Sequence, residues 1–267
     1  PAPNSTTSST ASQKAEACTN DNFQPRSHPL LRQKKVLTGV DLELGSGIHG
    51  LLGRNGVGKS TLLSIIGGQM KPTAGTIEVF GEQPFDNARV MDNTCLTGVD
   101  TAYPGSWSAK NVLKGASLRY PSWDQAFADE LSGDFNLDLD TTYSDLSRGQ
   151  RAMLAIVIGL ASRTDLLLLD EPYVGLDTHN TTVFYRHLLA QADTGRTIVM
   201  ATHHIEDAAK VLDTATILGR DGRVARHILP GDADAYAVSG PELLLIDDAP
   251  RHSRPAHFDD LIEHYLE

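Results

Sequence analysis

The sequence predicts an α/β fold built on a mostly parallel sheet, and three observations carry that expectation. Short apolar or alternating segments alternate with longer segments of helical period, the order that gives parallel strands joined by crossover helices. One strand candidate, Ile48-His49-Gly50-Leu51-Leu52, runs into a glycine-rich loop, Gly53 to Thr61, and then into an apolar helical segment ending at Ile66. Finally, the unbroken run Leu166-Leu167-Leu168-Leu169 ends at Asp170, as expected of a central strand covered on both faces.

Taken in order, residues 1–27 are rich in Ser, Thr, Ala, Asn and Gln and read as a disordered tail. They have neither the apolar core of a secretory signal nor the Arg-rich amphipathic pattern of a transit peptide. Folding is expected to begin near His28 to Leu31. Val40, Leu42 and Leu44 alternate with Asp41 and Glu43, the period of a half-buried strand. Gly45-Ser46-Gly47 then turns into the strand that feeds the loop. Gly67-Gly68 stops the following helix. Ile77 and Val79 alternate with Thr76 and Glu78 in another exposed strand. Residues 84–98 hold a short helix and a strand near Thr94-Cys95-Leu96. From Tyr103 to Tyr143 the pattern is helical but interrupted at Pro104-Gly105, Tyr120-Pro121 and Ser132-Gly133, a candidate helical insert.

Arg151 to Ser162 reads as a buried helix, Asn180 to Ala192 as an amphipathic one, Thr197 to Ala201 as a strand and Ile205 to Leu212 as a helix. Thr214 to Leu218 and Val224 to Ile228 flank Arg220-Asp221-Gly222-Arg223, a hairpin signal. A strand at Leu243 to Ile246 and a helix at Phe258 to Leu266 follow. The expected division is a tail at 1–27, a main domain at 28–230 with its helical insert at about 100–150, and a short C-terminal extension at 231–267.

Composition narrows the function classes. The 267 residues carry a formal net charge of −11, which argues against nucleic acid as the main ligand and against anchoring to an anionic membrane surface. No apolar run approaches the roughly 18 residues of a membrane span. Two cysteines, Cys18 and Cys95, make neither a disulfide framework nor a metal cluster, and a reducing compartment suits them.

The loop Gly53-Arg54-Asn55-Gly56-Val57-Gly58-Lys59-Ser60-Thr61 fits the phosphate-binding pattern. Its glycines let backbone N–H groups turn toward phosphate oxygens, and the helix N-terminus adds the positive end of its dipole. Lys59 is placed to reach the β- and γ-phosphates of ATP, and the Ser60 hydroxyl to ligate Mg²⁺. Asp170, at the end of an apolar strand, puts a carboxylate on the edge of the sheet where it can hold Mg²⁺. Glu171 follows as a candidate general base. The competing reading is a core strand with two solvated acids at its end.

These residues, with Leu146-Ser147-Arg148-Gly149-Gln150, resemble the ATP-binding subunit of an ABC transporter. The usual signature in that family is Leu-Ser-Gly-Gly-Gln. Val174-Gly175-Leu176-Asp177 resembles the loop that links the two sites of the family's dimer, and Thr202-His203 its switch histidine. The resemblance spans about His28 to Leu229. It implies a P-loop NTPase core with a mostly parallel sheet, an antiparallel β subdomain and a small helical subdomain. It also implies an ATPase that traps ATP between two head-to-tail copies. The loop and Glu171, Asp170 and His203 would come from one copy, and Ser147, Gly149 and Gln150 from the other. A separate membrane-spanning subunit would be the partner, and the chain would lie on the cytoplasmic face of the membrane. Tyr120-Pro121-Ser122-Trp123-Asp124 resembles bacterial exporter-type subunits.

Three departures from the family pattern stand out. Where the family places an aromatic ring for adenine, this chain has Leu31, with His28 and Phe23 the nearest rings. Where the family has a Mg²⁺-contacting glutamine, the register gives Gly98, with Asp100 the nearest oxygen ligand. Arg148 replaces the first signature glycine. Alternatives stay open: a soluble ABC-type ATPase acting on ribosome or DNA, or a nucleotide switch without turnover. Ser147 also suits a helix N-cap. A competing, minor reading of His203 with His204 is an ordinary strand-end pair, and no Cys or carboxylate cluster joins them in sequence as a zinc site. Trp107, Trp123, Tyr103, Phe127 and Phe135 suit subdomain packing.

Overall fold

The computed structural model describes residues 13–16, 37–192, 194–204, 208–239, 242–250 and 253–266. Its centre is a six-stranded sheet in the order β5-β6-β7-β3-β8-β9. The strands are β3 (Gly47–Leu52), β5 (Thr94–Gly98), β6 (Leu166–Asp170), β7 (Thr197–Thr202), β8 (Thr214–Leu218) and β9 (Val224–Ile228). All pairings are parallel except the β8–β9 hairpin. The leucine run of β6 shows why a central strand needs no polar face. Leu166 and Leu168 pack in one apolar cluster and Leu167 and Leu169 in another, because successive side chains leave a strand on opposite sides.

Helix α1 (Lys59–Ile66) covers one face, with Leu62, Leu63, Ile65 and Ile66 buried. On the other face lies α5 (Arg148–Ala161), whose residues from Ala152 to Ala161 are all buried. A short helix α2 (Ala88–Asp92) precedes β5. The insert holds α3 (Ala109–Arg119), capped by Ser108, and α4 (Gln125–Asp134), capped by Asp124. The break expected at Ser132-Gly133 does not occur. The Ser132 hydroxyl donates to the Ala128 carbonyl one turn back (2.7 Å), so the residue is satisfied inside the helix. Helix α6 (Thr178–Ala192) begins two residues earlier than expected.

A second, antiparallel sheet has the order β2-β1-β4, from Leu42–Leu44, Gln13–Glu16 and Thr76–Ile77. This corrects the tail expectation at residues 13–16. Strands β2 and β4 each present backbone donors and acceptors that need partners, and β1 pairs with both. The rest of the expected tail, and His28, Leu31 and Phe23, lie outside the described residues. So do residues 205–207 of the helix expected at Ile205 to Leu212.

The C-terminal part is more built than its composition suggested. One strand was expected at Leu243 to Ile246. The structure has β10 (Tyr236–Ser239), β11 (Glu242–Leu245) and β12 (Arg254–Pro255), in the order β11-β10-β12. Helix α7 (Phe258–Leu266) buries Leu261 and Ile262 in the same cluster as Ile217 and Ile228.

A buried cation fastens α5 to the sheet. Arg196, 6% exposed, donates to the carbonyls of Thr164 (2.6 Å), Leu160 (3.3 Å) and Gly159 (3.4 Å) and to Gln191 Oε1 (3.2 Å). Leu160 and Gly159 belong to the last turn of α5, whose carbonyls carry partial negative charge. Burial lowers the guanidinium pKa to about 10, still charged at neutral pH. Arg196→Met leaves those carbonyls unpaired. It is expected to lower unfolding stability by about 3 kcal/mol in a urea titration.

Candidate functional site

The register of the sheet gathers the site. Gly98 pairs with Asp170, Asp170 with Ala201, and Leu52 with Thr202, so the ends of four parallel strands form one edge. The crevice beyond the carboxyl ends of parallel strands is where such folds bind ligands.

The phosphate loop leaves that edge at Gly53. Its φ is +151°, and a Cβ there would come 2.8 Å from the Leu218 carbonyl oxygen, so glycine is required. Gly58, at φ +115°, caps the N-terminus of α1. The loop winds around Lys59, whose buried Nζ donates to the Gly53 carbonyl (2.8 Å) and lies 3.3 Å from Glu171 Oε1. Val57 is buried under the loop, whereas Arg54, Asn55, Gly56 and Ser60 are exposed, and Thr61 is half-buried.

Glu171 lies at the centre of a ring of donors. Its Oε2 is 2.9 Å from His203 Nδ1 and 3.3 Å from Thr202 Oγ1, while Oε1 faces Lys59. Its backbone is left-handed, φ +49°, and held by an N–H bond to the Ala201 carbonyl (2.8 Å). A non-glycine residue in this region stores roughly 1 kcal/mol of strain, which clusters at functional sites.

Asp170 differs from its neighbour. Its Oδ1 is buried and has no hydrogen-bond partner among the described residues. Burial pushes its carboxyl pKa up, and the charges of Glu171 and Asp100 add to this. The Ser60 hydroxyl and the Lys59 charge pull the other way. A cavity of about 340 Å³ opens in front of it, lined among others by Ser60, Gly98, Asp100, Thr101 and Glu171. An oxygen-lined space beside a charge-crowded carboxylate with one unpartnered oxygen fits a hard divalent cation such as Mg²⁺.

The missing glutamine has a steric side. A Cβ on Gly98 would lie 2.5 Å from the Asp170 carbonyl oxygen, so no side chain fits at that position. Asp100, two residues on, lines the cavity instead.

The signature segment is formed at the start of α5. Ser147 Oγ accepts from the Gln150 N–H (3.2 Å), and Gln150 Oε1 accepts from the Ser147 N–H (2.9 Å), a capping box that starts α5. Arg148 is exposed. Ser147, Gly149 and Gln150 line neither cavity beside the phosphate loop. Gly149 instead abuts Gly175, where a Cβ on Gly149 would come 2.2 Å from the Gly175 carbonyl oxygen. Alanine favours a helix over glycine by ~1 kcal/mol. Gly149→Ala is nevertheless expected to destabilise the fold by about 1–2 kcal/mol, because the backbone contact outweighs propensity. A urea melt reads the sign.

Sequence reasoning missed the left-handed backbone of Glu171, the Thr202 contact and the approach of Leu266 to the loop. A backbone angle at a non-glycine residue leaves no mark in composition, and Leu266 is more than 200 positions away from Gly53.

The family model described as ABC transporter matches residues 37–174. The chain is 31% identical to the ABC transporter ATP-binding protein YtrB of Bacillus subtilis, over 66% of this chain and 61% of YtrB. It is 30% identical to a ribose import ATP-binding protein, RbsA, of Streptococcus agalactiae, over 70% of this chain and 41% of RbsA. It is 29% identical to the daunorubicin/doxorubicin resistance ATP-binding protein DrrA of Streptomyces peucetius, over 80% of this chain and 67% of DrrA. The match thus spans less than two thirds of the first two relatives. Among solved structures, an ATP-binding subunit of an ABC transporter superposes with a TM-score of 0.69 at 23% identity, covering 84% of this chain and 92% of that one. A dimeric ATP-binding cassette with ADP and Pi gives 0.67 at 22% identity, covering 82% and 98%. At such identities these two likenesses speak for the fold.

Proposed function

The chain belongs to the ABC transporter family, and we propose that it is an ATP-binding and ATP-hydrolysing subunit that powers export through a separate membrane-spanning subunit. The observation that carries the reading is the grouping of Lys59, Glu171 and His203 at the loop, with Ser147, Gly149 and Gln150 lining neither cavity beside it. A complete site then requires a second copy.

In this account, N–H groups of Gly53 to Thr61 and the α1 dipole hold the β- and γ-phosphates. Lys59 exchanges its contacts with the Gly53 carbonyl and Glu171 for phosphate oxygens. That exchange releases one oxygen of Glu171 to accept a proton from the attacking water, while His203 and Thr202 keep the carboxylate aimed. Ser60, Asp170 and Asp100 would hold Mg²⁺. A cation there supplies neutralisation of the charge developing on the phosphates. From the second copy, the Ser147 hydroxyl and the Gly149 N–H, at the N-terminus of α5, meet the γ-phosphate. Closure of the two copies is the motion passed to the membrane subunit.

No helix among the described residues is long and apolar enough to cross a membrane, so membrane attachment in this reading comes from the partner on the cytoplasmic side. The likeness to the resistance protein DrrA, over 80% of this chain, supports export, and the likeness to the import protein RbsA, over 70%, supports the opposite direction. The boundaries 28–230 for the ATPase domain and 231–267 for an extension are part of the same proposal. Affinity capture of the full chain from detergent-solubilised cells tests the partner. A multi-span membrane protein in stoichiometric amount is expected, and a ribosome in its place would contradict the transport role.

A further inference from the structure

Two cavities of opposite character flank the phosphate loop. The first, with Asp100, Asp170 and Glu171, suits a cation. The second, about 330 Å³, is lined by Gly53, Arg54, Asn55, His203 and Leu266. Among the described residues its lining has no carboxylate, and its polar side chains are a guanidinium, an amide and an imidazole, which suit an anion. Leu266 reaches it from α7. That helix is firmly held: Leu261 and Ile262 are 1% and 0% exposed, and Arg254 grips Asp260 with two bonds of 2.6 and 2.7 Å. The Arg226 guanidinium lies 5.3 Å from the Tyr265 ring centroid, and the Tyr236 and Tyr265 hydroxyls are 3.4 Å apart. These contacts fix the last turn of α7 with half-buried Leu266 against the cavity.

We propose that the last turn of α7 is a wall of the nucleotide site, with Leu266 a positioning residue on the side that receives the terminal phosphate of a nucleoside triphosphate. The proposal rests on the ATP-binding reading above and goes beyond it by giving the C-terminal extension a place in the site. An apolar wall keeps water from one side of the cavity, and excluding water there strengthens the attraction of Arg54 and His203 for phosphate charge.

The test uses the full chain and two variants of opposite charge, Leu266→Asp and Leu266→Lys. Affinities for ADP and for a non-hydrolysable ATP analogue are measured with Mg²⁺ by calorimetry. Leu266→Asp is expected to weaken the triphosphate about tenfold and Leu266→Lys to tighten it several-fold, with ADP moving less than about threefold in both. Loss of packing alone moves both variants in one direction. A shift of the same sign in both, equal shifts for ADP and the analogue, or no shift at all overturns the proposal. A parent chain that binds neither nucleotide overturns the phosphate-loop reading itself, and this proposal with it.

Discussion

Glu171→Gln is expected to lower ATP turnover by about 10²–10³-fold while ATP affinity stays within a few-fold of the parent. The geometry explains both halves. The amide keeps an oxygen for His203 Nδ1 and Thr202 Oγ1, 2.9 and 3.3 Å away, so the ring of contacts survives. What is lost is a carboxylate able to take a proton from water. The variant also removes the negative charge 3.3 Å from Lys59 Nζ, which frees the lysine for phosphate, so the ATP-bound pair of copies should accumulate. Steady-state phosphate release and sedimentation with Mg·ATP read the two effects. Turnover within threefold of the parent would remove Glu171 from the role of base.

Lys59→Ala acts on binding. Lys59 is buried, and its ammonium is the charge around which the loop closes. Charge-assisted hydrogen bonds to phosphate contribute about 1.5–3 kcal/mol each, so ATP affinity should fall by roughly 10- to 100-fold. Nucleotide-driven pairing of copies should vanish with it. The same change leaves Glu171 without its cation, so a modest loss of fold stability accompanies it. Calorimetry separates the effects: an alanine variant that still binds ATP as tightly as the parent contradicts the assignment of the loop.

Much of this is legible in the amino-acid sequence. The loop could be read because its glycines answer a backbone need, and Gly53 indeed stands where a Cβ would strike Leu218. The β6 strand could be read because a strand covered on both faces has no polar alternation to confuse with a helix. Ser147 as a cap and Gln150 three residues later are a local pattern, and the capping box is there. What stayed hidden depends on distant partners. Strand β1 is defined by the two strands it pairs with. Strand β10 is four residues of mixed polarity with one neighbour on each side. The Gly149–Gly175 contact and the approach of Leu266 to the loop come from tertiary packing, which periodicity does not encode.

The central claim is that each copy holds half of a site. Mixing two inactive chains tests it. One carries Lys59→Ala. The other carries Ser147→Asp, which preserves a good N-cap for α5 while placing a negative charge where the γ-phosphate is expected. In a head-to-tail pair of the two, one site holds both lesions and the other holds none. Mixed in equal amounts with Mg·ATP, they are predicted to recover turnover well above that of either chain alone, up to about half the parental value, because each mixed pair keeps one intact site of two. A mixture no more active than either chain alone would contradict the shared site.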